Sequence, residues 1–401
     1  MNLRVALVTG APLRDRSEIG AAYHTLALAE GLVQRGIDVE IWSKSGAGEA
    51  VESAVPIVPL WRPGWLSWFE IYKAVLHRKP DILHIQYSTF VLATGATGEV
   101  AMLLLLLLLK LHGTNLIVTV HDVPSVSQIT REYIQMHGYK FPASLVRLGL
   151  RLIFGAIGVT AGRVVVHQDS FAGILAGDYG IDRRKIAVIP LMPLTRRGVA
   201  AARAHLGIGE SERVALFFGF ATKYKGIEVL LSAAERLGAG FQLRILLGAG
   251  EHPKVAHTRE YDRYYSALKR RAQSIAGVEF LGFLPDARLD EYVEAAGVAV
   301  FPYIEAQSMS GPLTICAAHG KPVLVSTRIA EKVPGFAACA FNPEPEELAN
   351  ALRRFFCEPD YRAAVESQSR AFAAQHVRGG DSVAETIALY RAATSTSRTR
   401  A

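Results

Sequence analysis

The stretch FPYIEAQSMSGPLTICAAHGKPV, residues 301 to 323, leaves an apolar run, passes through Gln307, Ser308, Ser310 and Gly311, and re-enters an apolar segment. Small polar residues at a helix start suit an anion, because the first-turn N–H groups lack intrahelical partners and the dipole is positive there. The same residues would also serve as an ordinary N-cap. A second junction, ALFFGFATKYKGIEVLLSAAERL, ends a strand at Gly219 and carries Lys223 and Lys225 before Gly226 opens an amphipathic helix. Glycine lets a ligand approach the main chain, and two ammonium groups can hold a diphosphate. Two solvated surface lysines are the plainer alternative, and the spacing is not that of a Walker loop. Glycines recur at two more strand ends: Gly248 and Gly250 in LRILLGAGE, and Gly282 followed by Phe283 in EFLGFLPD, a pair suited to meeting a flat base.

The first half places polar residues at strand ends in the same way. Gly20 sits in SEIGAAYH after the first strand, His121 and Asp122 in VTVHDVP, His167 and Gln168 in VVVHQDS, and His84, Gln86 and Tyr87 in LHIQYS. Such groups hydrogen-bond sugar hydroxyls or share a proton, although a strand-end histidine is often just a satisfied structural group. No G-x-S-x-G elbow, H-E-x-x-H, zinc-type cysteine cluster, Asp-x-Asp pair or G-x-G-x-x-G fingerprint occurs, so neither a metal nor a cofactor is expected.

These residues need a scaffold that brings strand ends together. Runs at 3–8, 38–42, 81–85, 115–120, 163–167 and 185–189 read as strands alternating with helices, the pattern of a parallel sheet covered on both faces. Pro190-Leu-Met-Pro193 interrupts it as a stiff connector, and a second series follows at 213–218, 241–247, 277–281, 297–301 and 322–326. The expectation is α/β: two doubly wound Rossmann-like domains, 1–192 and 193–380, facing each other across a cleft, with a helix at 381–393 bracing the first.

At 401 residues, two domains are the ordinary outcome. The net charge of +7 is spread along the chain without a dense basic cluster, which argues against nucleic acid. Three cysteines, Cys316, Cys339 and Cys357, cannot all pair, and the start runs directly into an apolar strand; a cytoplasmic location is expected. The leucine run within Ala101–Leu111 falls short of the ~20 residues a bilayer needs and reads as a helix buried against a sheet. WRPGWLSWFEIYKAVLHRK at 61–79 and SLVRLGLRLIFGAIG at 144–158 mix apolar and basic residues, as for packing inside the domain or for peripheral contact with an anionic membrane.

In order and spacing, HIQYS, VTVHDVP, RVVVHQDSF, KIAVIP, FFGFATKYKGIEVLL, FLGFLPDARLDEYVEAAGVAVFPY and SGPLTICAAHGKPVLVS resemble the family 4 glycosyltransferases of the GT-B fold over nearly the whole chain. The resemblance implies a nucleotide-sugar donor held mainly by the second domain and a glycan, lipid-linked or small-molecule acceptor held mainly by the first. It implies that Lys225 with Gly226 binds phosphate, that Ser310 and Gly311 offer N–H groups to the diphosphate, and that Gly20 approaches the same phosphates. His121 would stand beside the donor sugar, and His167 and Gln168 near the sugar-phosphate. The family's Glu-x7-Glu is replaced by Gln307 and Ile315, with Glu305 a candidate substitute, and its arginine by Phe220, with Lys223 nearby. The expected reaction is retaining and metal-independent transfer, with charge on the departing diphosphate met by cations and oriented N–H groups. A GT-B sugar-nucleotide epimerase and a noncatalytic nucleotide-sugar-binding subunit are the alternatives.

Overall fold

A computed structural model describes residues 3–10, 20–45, 53–88, 92, 96–136, 141–191, 198–252, 258–306, 310–333, 335–337, 340–374 and 381–398. The chain divides into two compact units, Met1–Met192 with Asp381–Ala401, and Pro193–Gly380.

The first unit runs β1 (Arg4–Thr9), α1 (Gly20–Gln34), β2 (Asp38–Lys44), β3 (Ile57–Trp61), α2 (Ser67–Arg78), β4 (Ile82–Tyr87) and α3 (Ala96–His112). It continues through β5 (Leu116–Val120), α4 (Arg131–Met136), α5 (Ala143–Thr160), β6 (Arg163–Val166), α6 (Asp169–Gly177) and β7 (Ile186–Val188). The second unit holds α7 (Ala202–His205), β8 (Arg213–Phe220), α8 (Ile227–Leu237), β9 (Leu243–Gly250), α9 (Arg259–Ser274), β10 (Val278–Phe280) and α10 (Asp286–Ala295). Then come β11 (Val298–Phe301), α11 (Gly311–Ala318), β12 (Val323–Ser326), α12 (Thr327–Ala330), β13 (Ala340–Phe341), α13 (Pro345–Cys357) and α14 (Pro359–Ala373), before α15 (Ser382–Arg398) returns to the first unit.

Both sheets are parallel, in the orders β3-β2-β1-β4-β5-β6-β7 and β10-β9-β8-β11-β12-β13. The direction of winding reverses between β1 and β4 and between β8 and β11. Loops leaving neighbouring strands diverge at such a reversal, and this opens the crevice in which doubly wound sheets bind ligands. Central strands are apolar almost throughout because helices cover both their faces: all five residues of β5 are buried.

Two strands have no counterpart among the runs read from the sequence. In β3, IVPLW carries Pro59, which has no N–H for a ladder; it is tolerated because β3 is a sheet edge. The other, β13, has two residues and no periodicity to detect.

The leucine run forms α3, whose Ala101, Met102, Leu105, Leu106 and Leu109 pack into the core, while Leu107 and Leu111 face outward, 54% and 75% exposed. On the opposite face of this sheet, α15 buries Val383, Ile387 and Tyr390, spaced i, i+4, i+7 along one side of the helix. The Tyr390 hydroxyl lies 2.6 Å from His84 Nδ1 in the middle of β4. Replacing Tyr390 by Ala should destabilise the first unit by about 3–5 kcal/mol through the cavity it leaves. Tyr390→Phe keeps the packing but strips His84 of a partner, so it should cost about 1–3 kcal/mol; denaturant unfolding of both variants checks the order.

Candidate functional site

In the second unit the two junctions singled out in the sequence lie at the β8/β11 reversal and are tied to each other. After β8, Lys223–Lys225 forms one 3-10 turn that hands over to α8 at Gly226, and the Ile304 N–H donates to the Tyr224 carbonyl across the gap (2.9 Å). Gly226 is required there twice over. Its φ of +66° is unfavourable for other residues, and a Cβ would stand 1.9 Å from the Pro302 carbonyl oxygen. Gly219, at φ +139°, brings the end of β8 against Pro312 in the first turn of α11.

The close approach seals Lys225 in. It is 8% exposed; its Nζ donates to the Tyr303 hydroxyl at 2.6 Å and lies 4.0 Å from the centroid of the same ring. No described carboxylate pairs with it, and burial alone pulls its pKa down to about 7. With its oxygen occupied by the ammonium, the Tyr303 hydroxyl turns its proton to Ser310 Oγ, 2.9 Å away, and burial pushes its pKa up. Ser310 caps α11, accepting from the Leu313 N–H, while Pro312 has no N–H to offer. Among the described residues no partner is seen for the Gly311 N–H, and a Cβ at Gly311 would meet nothing within 4 Å. Thr222, three residues before Lys225, keeps a buried hydroxyl for which no described group is a partner. A cation and a helix start are thus joined through Tyr303, with a buried hydroxyl three residues before the lysine, a set able to bind a diphosphate.

The remaining second-unit candidates are placed differently from one another. Lys223 is exposed at the head of the 3-10 turn, and Glu305 is half-buried in the loop after β11. Gln307 and Ser308 lie outside the described residues. Gly248 is fully covered, and its missing Cβ leaves room for Leu284, whose Cδ1 would be 2.6 Å from it. Gly250 makes the same allowance for Phe283, 2.8 Å away, so these glycines seat the 283–284 segment; the Phe283 ring is 42% exposed. A recess of about 770 Å³ lies at the opposite, amino-terminal edge of β8–β10, where Arg244 is already bound to Glu279 at 2.7 Å and to Glu212 at 3.6 Å and Arg213 to the Phe241 carbonyl at 2.8 Å.

The first unit gathers its candidates at the β1/β4 reversal. Gly20 opens α1, and one turn later His24, which the sequence reading did not single out, packs edge-on against His121 and His167, ring centroids 5.4 and 4.9 Å away. A buried chain of contacts runs Tyr390 Oη, His84 Nδ1 (2.6 Å); His84 Nε2, Gln86 amide (3.3 Å); Gln86 amide, His121 Nε2 (2.9 Å). It ends His121 Nδ1, His167 Nε2 (3.2 Å) and His167 Nδ1, Ile189 carbonyl (2.9 Å), with Thr119 Oγ1 also on His84 Nε2 (2.7 Å). The Ile189 carbonyl can only accept, which puts a proton on His167 Nδ1. With neutral rings, His167 Nε2 then accepts from His121 Nδ1–H, which leaves His121 Nε2 an acceptor; Gln86 Oε1 is placed against it, so the Gln86 amide must be turned over to donate there. Burial holds all four histidines below their ordinary range, His84 at about 3 and His167 at about 4; neighbouring rings reinforce it at His24, His84 and His121, while the Ile189 carbonyl opposes it at His167.

Both ring nitrogens of His121 are engaged and its N–H donates to the Tyr87 carbonyl (3.0 Å), so a ligand meets this residue at its carbonyl or only after one partner lets go. Gln168 is buried at the start of α6, where its carbonyl accepts from the Phe171 and Ala172 N–H groups, and Asp122 is half-buried beside His121. Tyr87 points to the other side of the sheet. Its ring packs on Phe154 in the core, and its hydroxyl donates to Glu99 at 3.1 Å. The strand pleat explains the split, since His84 and Gln86 share one face, Ile85 and Tyr87 the other.

A family model described as Glycosyltransferase Family 4 matches residues 19–191, and one described as Glycosyl transferases group 1 matches 212–358. A D-inositol 3-phosphate glycosyltransferase of Segniliparus rotundus is 29% identical over 261 residues, 60% of this chain; the match spans about half (54%) of that relative. Sucrose-phosphate synthase from Thermosynechococcus elongatus has the same fold, with a TM-score of 0.77 at 18% identity, covering 98% of this chain and 100% of that one. The Anabaena HepE structure in complex with UDP-glucose has a TM-score of 0.72 at 15% identity, covering 96% and 100%.

Gly226→Ala should displace the Lys225 turn and destabilise the second unit by about 2 kcal/mol or more, a loss that calorimetry would register. For the histidines the sign follows from folded pKa values lying below the unfolded value of 6.5: the unfolded chain binds more protons, so stability is present above pH 6.5 and is lost as pH falls towards 4. Each buried ring adds about 1.4 kcal/mol per pH unit to that slope, and His84→Gln should flatten the melting-temperature profile between pH 6.5 and 4.5.

Proposed function

We propose that this chain, which belongs to the family 4 glycosyltransferases, moves a sugar from a nucleoside-diphosphate donor to a glycan, lipid-linked or small-molecule acceptor, with retention and without a metal. The observation that carries the reading is the buried Lys225 ammonium, joined through Tyr303 to the Ser310 cap of α11. As the bond between the anomeric carbon and the diphosphate breaks, negative charge collects on the departing oxygen. In a site closed to water, the Lys225 cation and the Gly311 N–H meet that charge without having to reorganise. The acceptor hydroxyl attacks on the face the diphosphate leaves, and a diphosphate oxygen takes its proton. This accounts for retention without a carboxylate nucleophile.

Two further assignments belong to the same reading. The Thr222 hydroxyl, buried without a described partner, is a donor to the diphosphate. The histidine network of the first unit serves the sugar and the acceptor, its main-chain groups at His121 and Asp122 meeting hydroxyls. The reaction is set in the cytoplasm at the inner face of an anionic membrane, in keeping with the +7 charge. The Anabaena structure holds UDP-glucose, and uridine diphosphate is the first nucleotide to test here.

Lys225→Ala should lower kcat/KM by about a hundredfold or more while leaving the melting temperature unchanged or raised, because it removes a buried charge along with the interaction. Diphosphate binding favours the ammonium form of a lysine whose pKa is about 7. Binding above that pH therefore takes up a proton, and titration calorimetry should show affinity falling by up to about tenfold between pH 7.5 and 8.5, a trend that Lys225→Met abolishes. NMR should find the product anomer retained, and chelator should leave the rate unchanged; an inverted product would overturn the same-face mechanism.

A further inference from the structure

Helix α5 is apolar on two sides. Val146, Leu150, Ile153, Phe154 and Ile157 enter the core of the first unit, as a helix covering a sheet requires. Its opposite side carries Leu145, Leu148, Leu152 and Val159, all more than half exposed and spaced i, i+3, i+7, i+14, which places them in one row along the helix. Packing within the unit does not use that row. By length and composition α5 could cross a bilayer, but the five residues it contributes to the core hold it within the sheet's helical layer.

The row is continued by the neighbouring helices. Beside α5 lies α3, with Leu107 and Leu111 turned outward; beside α3 lies α2, which exposes Phe69 and Leu76, with Trp65 just ahead of it half exposed. Contiguous apolar surface of this kind marks a place where something docks.

Charge decides what. The Lys and Arg side chains on these three helices are Lys73, Arg78, Lys110, Arg147 and Arg151; the carboxylates are Glu70 and Glu99 alone. Both carboxylates are turned to local work, Glu70 accepting from the Arg62 main chain and Glu99 from the Tyr87 hydroxyl. Arg78 pairs with Glu40, and Arg147 is tied to the Ile129 carbonyl. Lys73, Lys110 and Arg151 remain, exposed among the apolar side chains. A second copy of this chain docked through the same face would set these like charges against one another, whereas anionic lipid headgroups would neutralise them as the apolar row enters the acyl boundary.

We propose that the outer face of α2, α3 and α5 is a membrane-docking surface for anionic phospholipid, seating the first unit in the headgroup layer by Trp65, Phe69 and the leucines of α3 and α5. The inference goes beyond the transfer reaction and is read without turnover, so it stands or falls separately. The full-length protein should sediment with phosphatidylcholine vesicles containing about 30 mol% phosphatidylglycerol and not with phosphatidylcholine alone, and brominated lipid should quench Trp65 emission. The double variant Leu148→Ser/Leu152→Ser should bind these vesicles at least about tenfold more weakly, and Arg151→Glu should reduce binding in low salt, both with unchanged melting. Three results would overturn the proposal: no sedimentation with anionic vesicles, binding indifferent to both variants, or light scattering that shows a dimer which the leucine variant dissociates.

Discussion

A lysine ammonium held out of water, with no described carboxylate to answer it, sets the terms for the second unit. Such a group is costly to bury, and here the cost is offset by the Tyr303 hydroxyl and by the ring faces of Tyr303 and Tyr224. The geometry that creates the situation is local and demanding. Gly226 allows the turn after β8 to lie against the Pro302 carbonyl, and the Ile304 to Tyr224 hydrogen bond locks the two loops together. The arrangement stores charge without a partner, which is what an anionic ligand would relieve. Ser310 and Gly311 share in this, because the same tyrosine that steadies the lysine also touches the cap of α11.

The first unit solves the opposite problem. Four buried histidines lie close together, burial keeps them neutral, and three of them form a hydrogen-bonded chain between the Ile189 carbonyl and the Tyr390 hydroxyl. Since the terminal carbonyl can only accept, the direction is set from His121 through His167, and it extends back to His84 when the Gln86 amide turns its nitrogen to His121. A network of that kind is rigid, and it links the carboxyl ends of β4, β5 and β6 through neutral groups. Its dependence on α15 is physical: the helix brings the hydroxyl that partners His84 Nδ1.

The outer layer of the first unit follows a third rule. A helix covering a sheet needs one apolar face, and α5 has two, with basic side chains set among the outward leucines of α3 and α5. Core packing explains the inner face and leaves the outer one to a partner whose chemistry is apolar in depth and anionic at its boundary.

The doubly wound class was legible because strands buried on both faces must be nearly continuous apolar runs and the helices between them carry their own period. Glycine and lysine at the end of one such run, and serine and glycine after another, could be read as an anion site for the same reason: unpaired N–H groups at helix starts are a property of the chain itself. β3 was not legible, since Pro59 is compatible with a strand only at an edge, and edges are decided by the order of the sheet. The pleat of HIQY alternates in the sequence, yet which side carries His84 and Gln86 and which carries Tyr87 depends on what covers each face. His24, Tyr303 and Tyr390 acquire their roles from partners 143, 7 and 306 positions away, the last two in hydrogen bonds and the first in ring contact with His167. Local sequence thus determined where strands end and which backbone groups lie open there. The burial that brings Lys225 to a pKa of about 7 and keeps four histidines neutral came only with tertiary packing, because removal from water depends on every element that covers a residue and not on its neighbours in the chain.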